Sequence, residues 1–265
     1  MTTTKQTVGV FILAKDESAN IERSLAALAA SGWVLHVLDS GSTDGTQTLA
    51  ASHSGVRILP YRYVDHCTAY NEVTTTLGRE FDWVLVLDAD MVVSRQLQVE
   101  ISRLIEQGAD QWDALRAPIE MWVDGTPMRR GSLYPPKPFV FKTGRALFVS
   151  TGHAEKLAGG VRVTDVQASL AHDDRKGYEA FLRSQGRYAD KLVSRYEQGA
   201  VSGRDRLRVR TPLLIGIVPF VSYVLKGGFF SGRAGTLYAL DRLIAEAIMY
   251  RRSVAMRLEH KRGKR

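Results

Sequence analysis

The sequence predicts an α/β fold with a mostly parallel sheet, followed by a helical C-terminal extension. Three observations lead there. Short apolar runs alternate with stretches of helical periodicity over residues 8–87. An aspartate stands just past several of those runs. The charge also changes sign along the chain: residues 1–175 hold 17 Lys/Arg against 21 Asp/Glu, a net of −4, and residues 176–265 hold 19 against 7, a net of +12.

Taken in order, Val8–Ala14 (VGVFILA) is a buried-strand candidate. Seven apolar residues followed at once by Lys15, Asp16 and Glu17 suit a strand better than a signal-peptide core. Residues 18–30 place Ile21, Leu25 and Leu28 on one helical face. Residues 33–38 read as a second strand, closed by the turn-forming loop DSGSTDG, with a helix over 45–53. A short third strand is expected at 56–59, a helix at 68–79 and a fourth buried strand at 83–87. Beyond residue 112 the pattern is irregular, with strand-like pieces at 113–121, 138–142 and 146–150, and from Lys176 it turns helical. The expected division is therefore 1–112, 113–175 and 176–265.

Composition sets outer bounds. The chain has 265 residues, enough to bury a sizeable core, and its 45% hydrophobic and 24% charged content is ordinary for a folded protein. A single cysteine, Cys67, leaves no partner for an intrachain disulfide or a thiolate metal site, and fits a reducing compartment. No stretch of about 18 uninterrupted apolar residues exists to make an ordinary membrane span.

Ligands of open parallel sheets are met at the carboxyl ends of strands. Asp88-Ala89-Asp90 follows the apolar strand WVLVL, so two carboxylates emerge there at alternate positions. Such a pair can share a divalent cation, Mg²⁺ or Mn²⁺, completed by substrate phosphates. Two solvated loop aspartates would look the same. Asp39 likewise ends a strand, where it can accept a hydrogen bond from a base or ribose or simply cap the turn.

Read together, the blocks at 8–25, 37–46 (VLDSGSTDGT), Asn71 and 83–93 (WVLVLDADMVV) resemble family 2 glycosyltransferases of the GT-A fold. Downstream, GSLYPPKPFVFKTG (131–144), residues 152–155, Leu170–Asp173 and GFFSGRAG (228–235) are similar to the lipopolysaccharide-core β-glucosyltransferase subfamily. The resemblance implies a GT-A sheet and an inverting transfer from a nucleotide-diphosphate sugar, a UDP-hexose, to a saccharide or lipid-linked hydroxyl. It implies that Ala14, Lys15 and Glu17 line the nucleotide pocket, with Asp39, Asn71 and Asp88 on the donor. It gives Asp90 and His172 to the metal, and it makes Glu155, with His153 beside it, the general base. Two departures stand out. Relatives carry a basic residue where this chain has Tyr70, and Arg-Leu-Phe where it has Phe139-Val140-Phe141; Arg79, Lys137 or Arg145 are the available substitutes. A sugar nucleotidyltransferase is the rival enzyme reading, disfavoured because LAKDESAN (13–20) has no glycine. A non-catalytic scaffold on the same fold is the third.

The basic end suggests an anionic membrane surface and a peripheral, cytoplasmic location. Residues 212–225 are apolar but broken by Pro219, and residues 237–258 carry an apolar stripe bordered by Arg242, Arg251, Arg252 and Arg257. A helix docked on the catalytic domain would show the same stripe. Nucleic acid is not expected as a partner, because no recognised nucleic-acid motif accompanies the charge.

Overall fold

The computed structural model describes residues 6–108, 110–150 and 155–262. In chain order the elements are β1 (Val8–Ala14), α1 (Ile21–Leu28), β2 (Val34–Asp39), α2 (Thr46–Ala51), β3 (Arg57–Pro60) and α3 (His66–Glu72). Then come β4 (Trp83–Asp88), β5 (Met91–Val92), α4 (Arg95–Gly108), β6 (Ala114–Ala117), β7 (Ile119–Val123) and β8 (Thr126–Pro127). They are followed by β9 (Lys137–Lys142), β10 (Phe148–Ser150), β11 (Glu155–Leu157), β12 (Val163–Asp165) and β13 (Leu170–His172). The remainder is helical: α5 (Tyr178–Glu197), α6 (Gly203–Arg210), α7 (Leu213–Phe220) and α8 (Gly232–Arg262). The chain divides into two compact units, Met1–Glu120 with Tyr134–Arg175, and Met121–Leu133 with Lys176–Arg265.

The first unit is built on a seven-stranded sheet in the order β12-β6-β9-β4-β1-β2-β3. All its strands run parallel except β9, which is antiparallel to both neighbours. Strands from both sides of residue 112 thus share one sheet. Each central strand feeds two cores by its period of two. Val10, Ile12 and Ala14 pack on one face with Ile21, Leu25 and Leu97, while Phe11 and Leu13 pack on the other with Tyr70, Val73 and Phe81. Burial on both faces is why β1 and β4 read as unbroken apolar runs rather than alternating ones.

Two differences from the sequence reading have local causes. Residues 94–112, assigned no element above, contain the 14-residue helix α4, whose Leu97, Ile101 and Ile105 form a buried stripe. The helix expected over 68–79 is shorter, running 66–72 before a π turn at Val73–Leu77. The hydroxyls of Thr74 and Thr75 bond back to the carbonyls of Tyr70 and Asn71 there, a pattern that distorts helices.

Beside the sheet, Asp113 enters β6 and is clasped by Arg162 ahead of β12, with Nε to Oδ2 at 2.9 Å and Nη2 to Oδ1 at 3.0 Å. Hydrogen bonds from the Arg162 side chain, opposed by burial and aided by its backbone N–H, hold this carboxyl at about 2 rather than the ordinary 3.8. A depressed folded-state pKa stabilises above the unfolded value and is lost as pH falls toward the folded one. The melting-temperature deficit of Asp113→Asn should therefore be full at neutral pH and shrink between about pH 4 and 2. A deficit that stays constant across that range would show that the carboxylate charge is not what matters.

In the second unit, α8 packs along α5, α6 and α7. Arg208 of α6 forms a buried fork with Glu246 of α8, both contacts 2.6 Å, and a third bond to Asp205 at 2.8 Å. The glycines of GSLYPP and GFFSGRAG have a steric reason. Gly131, with φ +95°, packs directly on Gly228, and a methyl on Gly228 would sit 2.8 Å from the Ser222 carbonyl oxygen. Backbone meets backbone here, and only glycine permits it. The face of α8 that is buried carries Tyr238, Ala245 and Met256, whereas the arginine-bordered stripe has Leu240, Leu243 and Leu258 exposed and Ile244, Ala247, Ile248 and Ala255 half-buried.

Candidate functional site

Parallel pairing lines up the expected residues at one edge of the sheet. Asp39 is in register with Ala14 and with Pro60, and Asp88 with Leu13. Asp39 Oδ2 accepts from the backbone N–H groups of Gly41 (2.9 Å) and Ser42 (3.0 Å) and from Gln47 Nε2 (2.6 Å). Its Oδ1 is buried and has no hydrogen-bond partner among the described residues. Burial pushes this carboxyl up, and the bonds from Ser42, Gln47 and Gly41 more than reverse that, so it is held below its ordinary value. A charged, half-satisfied acceptor in such a place invites a donor from outside. Beside it opens a cleft of about 550 Å³ lined by Asp39, Ser40, Gly41, Pro60, Tyr61, Arg62 and Tyr63.

The loop after β1 is fastened to the loop after β2. Lys15 Nζ donates to the Gly41 carbonyl, Asp16 N to Ser42 Oγ (2.9 Å), Glu17 N to Thr46 Oγ1 (2.8 Å) and Ser18 N to Asp44 Oδ2 (2.9 Å). Asp16 takes the left-handed conformation at φ 53°, supported by Oδ1 accepting from Thr43 N at 2.8 Å. Lys15 and Glu17 thus hold the rim of the site together, Glu17 also accepting from Asn20 Nδ2 at 2.8 Å.

Asp88 is met by a lysine and a histidine. Lys137 Nζ from β9 donates to Oδ2 at 2.7 Å, and His66 Nδ1 lies 3.8 Å from Oδ1. Burial raises the Asp88 pKa, but the Lys137 charge, then His66, pull it well below the usual carboxylate range. Lys137 is shifted the opposite way, burial lowering it and Asp88 raising it further. The ammonium also sits over the Tyr70 ring, 5.8 Å from its centre, and Tyr70 stacks on Phe148 at 4.8 Å. Lys137 is thus the substitute cation that reaches Asp88. His66 and the tyrosines of the cleft carried no signal in the sequence. Replacing Lys137 by Met should destabilise the fold by about 2 kcal/mol, below the range for a fully buried pair because both side chains are a quarter exposed. In urea titrations the double variant with Asp88→Asn should recover most of that loss. Additive losses would mean that the two side chains act separately.

Asp90 and His172 come together although 82 residues apart. His172 pairs with Met91 across β13 and β5, and Asp173 N donates to the Asp90 carbonyl at 2.9 Å. Asp173 is itself held by Arg23 and Arg175. The His172 ring then stands with Nε2 3.1 Å from Asp90 Oδ2. Asp90 Oδ1 is buried and without a hydrogen-bond partner among the described residues. One free carboxylate oxygen and one imidazole suit a divalent cation whose other ligands come from substrate, and no group of three His, Cys, Asp or Glu side chains forms a closed metal site among the described residues.

Asn71 behaves differently from the rest. Its amide is engaged at both ends by the backbone of Phe148, Oδ1 accepting from N at 2.7 Å and Nδ2 donating to O at 3.0 Å. It ties α3 to the ribbon β10–β11, in which Ser150 pairs with Glu155. The side chain of Glu155 and all of His153 lie outside the described residues.

A family model described as Glycosyl transferase family 2 matches residues 9–156, more than half of the chain. The chain belongs to the family 2 glycosyltransferases. Its sheet is that of a GT-A fold, and the nucleotidyltransferase reading falls away. This glycosyltransferase is 30% identical over 106 residues to an uncharacterized glycosyltransferase of Rickettsia bellii, covering 40% of the present chain and 35% of that relative's length. Similar solved structures include S. aureus TarS 1-349 in complex with UDP-GlcNAc, at 14% identity and TM-score 0.48 over 96% of this chain and 92% of that one. Another is the Mycobacterium tuberculosis glucosyl-3-phosphoglycerate synthase complex with Mn²⁺, UDP and glucosyl-3-phosphoglycerate, at 18% identity and TM-score 0.45 over 75% and 82%.

Proposed function

We propose that this glycosyltransferase moves a sugar, with inversion, from a UDP-hexose to a hydroxyl of a saccharide or lipid-linked acceptor in cell-envelope glycan synthesis. The lipopolysaccharide core is the acceptor class its downstream motifs suggest. The observation that carries the reading is the single row of Asp39, Asp88 and Asp90 with His172 at one sheet edge, next to a cleft flanked by Tyr61 and Tyr63.

In this reading the free Oδ1 of Asp39 accepts an N–H or O–H of the nucleoside. Asp88, fixed by Lys137 with His66 close by, faces the ribose, and Lys137 adds positive charge where a diphosphate would lie. Asp90 and His172 would hold Mg²⁺ or Mn²⁺, which when bound stabilises the charge developing on the departing diphosphate. Glu155 takes the proton of the acceptor hydroxyl as that oxygen attacks the anomeric carbon. One displacement inverts the carbon. The proposed location is cytoplasmic, peripheral to the inner face of the cytoplasmic membrane, where a lipid-linked acceptor is at hand.

A panel of nucleotide sugars with Mn²⁺ tests the donor. Ligand at 100 times its Kd stabilises by about 2.7 kcal/mol, or about 5–10 °C in a chain of this size. UDP-sugars should give that shift, and acceptor-dependent UDP release should follow. A shift with CDP- or GDP-sugars alone would reassign the base, and no shift with any of them would remove the donor reading.

A further inference from the structure

We propose that one face of α7 and the turns after it form a lipid-binding surface that lies in the headgroup layer of an anionic membrane. Leu213, Ile217, Phe220 and Val224 recur at helical spacing, and all are exposed. Beyond the π turn at Val221–Leu225, Phe229 and Phe230 are also exposed, with their rings 3.9 Å apart. Phe220 is 53% and Phe230 63% exposed. Six large exposed apolar side chains within 18 residues of sequence are more than a folded unit leaves bare without use.

The charges around this face select the occupant. The Arg130 guanidinium stands over the Phe230 ring at 5.4 Å, and Lys226 and Arg233 are exposed beside it in sequence. From residue 206 to residue 240 there is no Asp or Glu and there are five Lys/Arg. Of those five, Arg208 is held by Glu246 and Asp205, which leaves Lys226 and Arg233, with Arg130, as the exposed cations nearest the strip in sequence or contact. Such a strip matches acyl chains beneath anionic headgroups. A second copy of the chain matches poorly, because a two-fold contact would set the same cations against each other. The element lies on the bilayer rather than across it. No single helix among the described residues is long and apolar enough to cross; Leu213–Leu225 and Gly228–Glu259 reach that length and composition only together, and they meet at a 68° bend. The inference deepens the proposed membrane location and is independent of the transfer chemistry, since its readout is lipid binding.

The test is co-sedimentation of the full chain with vesicles at about 0.1 M salt, where charge still acts over about 10 Å. Phosphatidylglycerol–phosphatidylcholine vesicles should pellet the protein about tenfold better than phosphatidylcholine alone. Phe220→Ser with Phe230→Ser should lower that binding about tenfold while leaving circular dichroism and the UDP-dependent thermal shift unchanged. Arg130→Glu with Arg233→Glu should remove the preference for the anionic vesicles. Equal recovery with both vesicle types, or a dimer in sedimentation velocity that the Phe pair dissolves, would overturn the proposal.

Discussion

Asp90→Ala should lower turnover by about 10³-fold and remove the Mn²⁺ dependence of UDP binding. Metal stabilisation of a leaving diphosphate is worth several kcal/mol, and each 1.36 kcal/mol is about tenfold in rate. Asp90 Oδ1, like Asp39 Oδ1 at the same edge, is a buried carboxylate oxygen without a hydrogen-bond partner among the described residues, and Asp90 has His172 Nε2 3.1 Å from its other oxygen. The variant keeps the backbone bond from Asp173 N to the residue 90 carbonyl, so β5 and β13 should stay paired. Isothermal titration of UDP with and without Mn²⁺, beside initial rates, separates the outcomes. Normal rates in excess chelator, or a variant whose UDP affinity still rises with Mn²⁺, would take the metal away from this residue. His172→Ala should lie between Asp90→Ala and wild type, because an imidazole is a neutral ligand and the carboxylate brings the charge.

Much of this site was legible because its residues sit where a parallel sheet ends. β1, β2 and β4 are apolar on both faces, so their limits, and the aspartates just beyond them, stand out in the sequence. Pairings fixed by tertiary contact were less so. Strands β12 and β13 have three residues each, too few to show a period of two, and β5 has two. The meeting of His172 with Asp90 depends on that short β5–β13 pairing, and the resemblance pointed to it where periodicity did not. Helix α4 shows a regular stripe that the sequence reading left unassigned. Lys137 illustrates the opposite limit. Its position at the start of β9 says nothing until β9 is seen to run antiparallel beside β4, which brings the ammonium to Asp88.

The same comparison changes the meaning of Asn71. The family resemblance places it on the donor, yet both ends of its amide are engaged by Phe148. It acts as a strut between α3 and the ribbon that carries Glu155. Tyr70, where the family resemblance leads one to expect a basic residue, packs on the same Phe148 and lies under Lys137. The positive charge at this point of the site comes from Lys137 of β9, across the tyrosine ring.

Glu155→Gln should leave donor affinity unchanged and lower kcat by about 10²-fold or more, the scale of losing a general base. Glutamine keeps the shape of the side chain and its hydrogen-bonding reach but cannot take the acceptor proton. The residue opens β11, whose partner β10 is held to α3 by the Asn71 amide, so its backbone is fixed from two directions. Asn71→Ala supplies the contrast. It should loosen the ribbon and reduce kcat while preserving the acid limb of the pH–rate profile, because the base is still present though less well placed. Glu155→Gln should flatten that limb, since the titrating base is gone. Pre-steady-state rates with saturating donor, measured from about pH 5 to pH 9, distinguish a missing base from a displaced one. If Glu155→Gln instead loses donor affinity while each bound donor still reacts at the normal rate, Glu155 binds substrate and the proton must leave by another group.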